Sequence, residues 1–110
     1  MQPNYLKGLI NLRGDVVPVI NLRTRFDLEE QEFQKDTLLM VVRINDILAS
    51  LVVDKVSGVK TLPLNIIEKP SGLVLDINNR YLTGIARFDG QIIMILDLIQ
   101  TIDPKAVETR

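Results

Sequence analysis

One pattern occurs twice in this chain of 110 residues, and no other feature limits the available folds as much. GLINLRGDVVPVINLRTRF runs from Gly8 to Phe26, and GIARFDGQIIMILDLIQTI runs from Gly84 to Ile102, an offset of 76. Gly8 matches Gly84, Gly14 matches Gly90 and Leu22 matches Leu98. Val16, Val17, Val19 and Ile20 match Ile92, Ile93, Ile95 and Leu96. Each copy therefore reads as a strand, a glycine turn and a second strand. Each then reaches Asn21 or Asp97, whose side-chain oxygen can accept a free backbone N–H at a helix start. A short helical turn should follow, over Leu22 to Phe26 and over Leu98 to Ile102. Three identities in nineteen would carry little alone, since any two β-hairpins look alike. The shared caps and turn glycines at one constant offset carry the repeat. The offset is too long for a solenoid period, so the expected architecture is two similar β-subdomains packed within a single domain, residues 1–110.

The segments between the copies keep the same period of two. Tyr5 to Leu12, Val16 to Ile20, Thr37 to Ile44 and Ile47 to Val53 are short, alternating and rich in β-branched residues, which predicts strands. Asn45-Asp46 supplies a two-residue hairpin turn between the last two. Val56 to Leu62 is expected to stay extended until Pro63, whose missing N–H ends a ladder or marks an edge. Leu64 to Asn79 reads as an irregular crossing with one short strand near Leu73 to Leu75. Tyr81 to Phe88 and Gln91 to Leu96 form a final hairpin around Asp89-Gly90. The fold class is all-β.

Composition then removes whole classes of chemistry. Leu, Ile and Val supply 40 residues, enough aliphatic bulk for a core. The chain has neither His nor Cys, which leaves no Ser-His-Asp triad, no thiolate nucleophile and no zinc site of the usual kind. The six glycines are scattered, and none forms a phosphate-binding loop. Asp27, Glu29, Glu30 and Glu32 read as a solvated loop rather than a metal site. The chain is expected not to be an enzyme and to need no cofactor or metal. Net charge is −1, so bulk electrostatics favours neither nucleic acid nor an anionic membrane. No run approaches the roughly eighteen apolar residues of a membrane span.

The differences between the copies single out few residues. Gly14 and Gly90 suit turn geometry, and Asn21 and Asp97 suit caps. Arg13 stands at a hairpin tip in one copy, where the other has Asp89, so no shared folding need accounts for it. It is either a solubilising surface charge or a binding residue. Val56 and Val59, flanking Ser57-Gly58, read as core on spacing alone. Pro18, opposite Met94 in the repeat, implies a strand whose ladder is interrupted.

Three stretches together resemble the CheW-like chemotaxis coupling domains: GLINLRGDVVPVINLRTRF, LVVDKVSGVKTLP and YLTGIARFDGQIIMILDL. The resemblance runs from Pro3 to about Ile102 with matching order and spacing. It implies two five-stranded β-barrels packed on a shared apolar core. It also implies a non-catalytic, cytoplasmic adaptor linking methyl-accepting chemoreceptors to the histidine kinase CheA. Carried over residue by residue, it marks Gly8, Asn11 and Arg13 as receptor-side signature positions, and Val56 and Val59 as apolar positions lining a receptor groove. Arg13 would hold an acidic partner and shape that groove. Tyr81, Leu82 and Phe88, in the other barrel, would face the kinase.

The resemblance has one departure. Members of the family carry about forty residues ahead of the segment that matches Pro3, which form opening strands. The first barrel is therefore expected to be incomplete, either as a fragment or misplaced start or with self-association making up the missing edge, and both favour a homodimer. Two other readings stay open. One is the detached regulatory domain of a CheA-like kinase or a CheV-type adaptor. The other is a small oligonucleotide- or ligand-binding β-barrel, which would need stacking aromatics that two Tyr, three Phe and no Trp hardly supply.

Overall fold

Three two-residue turns set the local architecture, and each places both central residues in the left-handed region. They are Arg13-Gly14 (φ 53° and 88°), Asn45-Asp46 (48° and 66°) and Asp89-Gly90 (51° and 74°). Positive φ at both centres is the type I′ arrangement, whose twist matches that of the strands it joins. The computed structural model describes residues 4–70 and 77–103.

The first turn joins β1 (Leu6–Leu12) to β2 (Asp15–Asn21), which runs into a helical turn, α1 (Leu22–Arg25). The second joins β3 (Leu38–Ile44) to β4 (Ile47–Val53). After a short β5 (Ile67–Glu68), the third joins β6 (Leu82–Phe88) to β7 (Gln91–Leu96), followed by α2 (Leu98–Ile102). The strand bounds lie within a residue or so of those read from the sequence, and β4 and β7 coincide with them. Two segments differ. Residues 55–63 pair with no strand among the described residues, and Gly58, at φ 128°, lies along them. Pro63 then caps a single 3-10 turn at Leu64–Ile66 instead of closing a ladder. The short strand expected near Leu73 to Leu75 lies outside the described residues.

The strands form two sheets, in the orders β1-β2-β4-β3 and β5-β6-β7. Within the first, β2 and β4 run parallel over Val19–Asn21 and Ser50–Val52. Pro18 sits just before that stretch, opposite Leu9 of β1, where β4 asks nothing of its missing N–H. Among the described residues the first hairpin belongs to a four-stranded sheet and the second to a three-stranded one.

Features recur at the offset of 76. Both first strands have a register shift one residue before the glycine, between Leu6 and Gly8 and between Leu82 and Gly84. Asn21 N–H donates to the Tyr5 carbonyl at 2.9 Å, and Asp97 N–H to the Tyr81 carbonyl at 2.8 Å. The Asn21 carboxamide oxygen caps α1 by accepting from Arg23 and Thr24 N–H, and the Asp97 carboxylate caps α2 by accepting from Gln100 N–H. Each helical turn ends on an apolar residue that packs across to the other copy. Phe26 lies 5.2 Å from the Tyr81 ring, and Ile102 joins Tyr5, Ile20, Ala49 and Leu51 in the core. The two hairpins thus exchange their anchors. Between them β4 is buried on both faces from Ala49 to Val52, which matches its run of apolar residues and its parallel neighbour.

Candidate protein-binding site

Arg13 occupies the first centre of its I′ turn and is exposed. The Asn11 carboxamide oxygen accepts the Gly14 N–H at 3.1 Å, so Asn11 shapes the tip that presents Arg13. Among the described residues Arg13 takes part in none of the ion pairs. Gly8 lies further along β1, opposite Val19, on the edge of a cleft shared with Leu38 and Leu39.

Val56 and Val59 lie elsewhere. Both are on the unpaired segment after β4, where Val59 is fully exposed and Val56 half so. Neither is a core residue, contrary to what their spacing alone suggests, and Leu64 beyond them is 86% exposed. Since β2 and β4 are parallel, the Arg13 tip precedes one strand while Val56 follows the other. The two therefore stand at opposite ends of the sheet, separated by the length of a seven-residue strand, roughly 20 Å. The structure groups Asn11 with Arg13, and Val56 with Val59 and Leu64, but does not bring the two groups into one patch.

Tyr81 and Leu82 are buried at 5% and 7% exposure, so their side chains serve the interior. Of the three residues assigned to that face, only Phe88, half-buried at the end of β6, reaches the surface. Burial of Tyr5, Phe26 and Tyr81 also removes three of the five aromatic side chains from any platform on which bases could stack.

The base of the exposed segment is fixed by charge. Arg23 in α1 grips Asp54, the residue after β4, with both arms of its guanidinium: Nε donates to Oδ1 at 3.0 Å and Nη2 to Oδ2 at 2.7 Å. Nη1 also donates to the Glu29 carbonyl at 3.1 Å. The hydrogen bonds from Arg23 hold the Asp54 carboxyl below its ordinary pKa, and the same bonds raise that of the guanidinium. Sequence reasoning missed both residues, because the pair joins positions 31 apart and needs the parallel β2–β4 contact to meet. No helix among the described residues is long and apolar enough to cross a membrane.

This arrangement has known counterparts. The model of the CheW-like domain matches residues 1–105. The chemotaxis protein CheW of Helicobacter pylori is 36% identical over 94 residues, covering 86% of this chain and 56% of that protein. The Bacillus subtilis CheW is 31% identical over 106 residues, covering 96% of this chain and 67% of its own length. In three dimensions the chain resembles the scaffolding protein TtCheW of Thermoanaerobacter tengcongensis, with a TM-score of 0.81 and 36% identity over 90% of this chain and 64% of that one. The chain thus spans a little over half to two thirds of the length of these relatives. It belongs to the family of CheW-like domains.

Proposed function

We propose that this chain is a non-catalytic coupling module of the cytoplasm that joins chemoreceptors to a CheA-type histidine kinase. One observation carries the reading. A segment of ten residues, 54–63, leaves β4 without joining a sheet and exposes Val56 and Val59, with Leu64 just past its end. Exposed aliphatic side chains on unpaired backbone, anchored at one end by a bidentate ion pair, suit a helical partner with an apolar stripe. The Arg13 tip offers a second contact for an acidic group. The first sheet adds a route to a homodimer. Edge strand β3 exposes Leu38, Leu39, Met40 and Val41 in succession, ahead of an exposed Arg43 near its end.

Reconstitution tests the coupling role. The chain is mixed with a receptor signalling-tip fragment and the kinase, and receptor-dependent autophosphorylation is followed. Stimulation that is lost in a Val56→Glu/Val59→Glu double variant supports the reading. Stimulation that survives the double variant, or none from the unaltered chain, overturns it. Sedimentation at micromolar concentration reports the homodimer separately.

A further inference from the structure

We infer that the exposed segment after β4 selects a partner helix whose apolar stripe is flanked by acidic residues, and that Lys55 and Lys60 make the selection. The inference rests on the helix-binding reading of this segment and adds the charge that the helix must carry. Asp54, Lys55 and Lys60 are the only charged residues of the stretch 54–63. Arg23 holds both oxygens of Asp54, so that carboxylate is not free to offset the lysines. Both lysines are exposed, and neither belongs to an ion pair among the described residues, whose paired cations are Lys7, Arg23 and Arg87. The whole chain carries a net charge of −1, yet its valine-bearing segment presents two uncompensated positive charges.

The order of the residues places these charges outside the apolar pair. Lys55 precedes Val56 and Lys60 follows Val59, with Ser57 and Gly58 between the valines. The backbone from Val56 to Val59 spans at most ~11 Å, about two turns of a helix. A partner helix can therefore meet both valines with apolar residues up to about seven positions apart. From Lys55 to Lys60 the backbone reaches at most ~18 Å, about three turns. The matching carboxylates then lie just beyond the stripe at either end.

A cleft beside Val56 gives the acid at one end a seat. Lys55 lines it together with Val56, Ser57, Lys35, Asp36 and Leu38, and its volume is about 480 Å³. Asp36 is the one anion in that lining, and the adjacent Lys35 brings an equal positive charge. The surplus charge of the cleft is therefore that of Lys55. Exposed charges of this kind add little to raw affinity. They discriminate between partners, because a like charge set against them weakens binding and slows encounter.

The probes are two synthetic peptides of about twenty residues, long enough to form a helix, with one leucine stripe in common. Glutamates flank the stripe in one and lysines in the other. Each is titrated into the full chain and followed by backbone amide resonances. The acidic peptide should bind about fivefold or more tightly at low salt, with shifts centred on residues 55–60, and the gap should shrink toward ~1 M salt. Lys55→Glu/Lys60→Glu, at two exposed sites, should fold normally by circular dichroism and reverse the preference. Asp54→Asn breaks the ion pair but keeps the lysines, so it should keep the preference for the acidic peptide. Equal binding of the two peptides, binding of neither, shifts centred elsewhere, or an unchanged preference in the double lysine variant would overturn the proposal. So would binding to phosphatidylserine vesicles as tight as to the acidic peptide, since a lipid surface would then be the partner. Kinase stimulation that depends on Val56 and Val59 while the two peptides bind alike removes this proposal and leaves the coupling role in place.

Discussion

Arg25 Nε donates a hydrogen bond of 2.7 Å to the carbonyl oxygen of Thr101, the residue that holds Arg25's own position in the second copy of the repeat. Nη2 donates to the neighbouring Gln100 carbonyl at 2.8 Å. The guanidinium carbon lies 4.4 Å from the Tyr5 ring centre and 4.8 Å from that of Tyr81, themselves an equivalent pair. A cation from the first hairpin therefore satisfies the last carbonyls of α2, where the helix end favours positive charge, and fills the space between two rings. This contact holds the two halves together at the centre of their internal relation.

Arg25→Ala should accordingly loosen the halves from each other. Hydrogen bonds from a charged donor are worth ~1.5–3 kcal/mol and a partly desolvated cation–π contact ~0.5–2 kcal/mol, so a loss of about 2–4 kcal/mol is expected. Arg25→Lys should recover only part of this, because an ammonium cannot bond two carbonyls and lie flat between two rings at once. Urea unfolding followed by tyrosine fluorescence measures it. An unchanged midpoint in Arg25→Ala would assign the packing entirely to Phe26 and Ile102.

The two repeat glycines should respond differently to a methyl group. In Gly84→Ala the new Cβ meets Ile67 and the Glu68 carbonyl, so β5 must shift, at a cost of about 1–3 kcal/mol. Exchange at Ile85 and Ala86, the residues opposite β5, should quicken. Gly8→Ala meets no atom and suffers only the strain of its positive φ. Exchange in β6 that is unchanged in Gly84→Ala would show that β5 is not firmly seated.

The three hairpins and both caps were legible in the sequence because their signals are local. A turn pair, a period of two and a polar residue before a helical turn act over a few positions. The repeat was legible too, but its start was set at Gly8, although Tyr-Leu precedes both glycines by three residues and includes the two rings that Arg25 joins. The parallel β2–β4 contact left no local trace, and with it went the Arg23–Asp54 pair and the separation of Arg13 from Val56. The resemblance assigned Tyr81 and Leu82 to the kinase-facing barrel, and the repeat buries them as it buries Tyr5. Val56 and Val59 look apolar enough for a core, yet the segment that carries them pairs with no strand among the described residues and leaves them exposed.

The Arg23–Asp54 pair predicts a dependence on acid. Hydrogen bonds from Arg23 lower the folded-state pKa of Asp54 below its unfolded value of about 4. The stability it contributes is therefore full above that value and is lost as pH falls through the lower, folded one. Asp54→Asn should be less stable than the unaltered chain at neutral pH, with the gap closing below about pH 4. Because the Asp54 side chain is 68% exposed, salt should narrow the gap as well. Denaturant midpoints of both proteins across pH 3–8 check this. Parallel curves over the whole range would mean that the pair contributes no pH-dependent stability.

Arg13 allows binding to be separated from folding, because its backbone and its charge make opposite demands. With φ at 53° it holds a left-handed conformation that costs a residue with a Cβ about 1–2 kcal/mol and costs glycine almost nothing. Arg13→Gly should therefore leave the chain as stable or up to ~1 kcal/mol more stable, since the turn relaxes and no ion pair among the described residues is lost. The same change removes the tip's positive charge, so affinity for a receptor signalling-tip fragment should drop by roughly tenfold or more, the worth of one charge-assisted hydrogen bond. Arg13→Lys should keep part of that affinity, while Arg13→Ala should lose it without the gain in stability. Thermal unfolding beside a binding titration resolves the two effects. A stabilised Arg13→Gly that binds as tightly as the unaltered chain would make the residue a solubilising charge, and recognition would then fall to Val56, Val59 and Leu64 at the far end of the sheet.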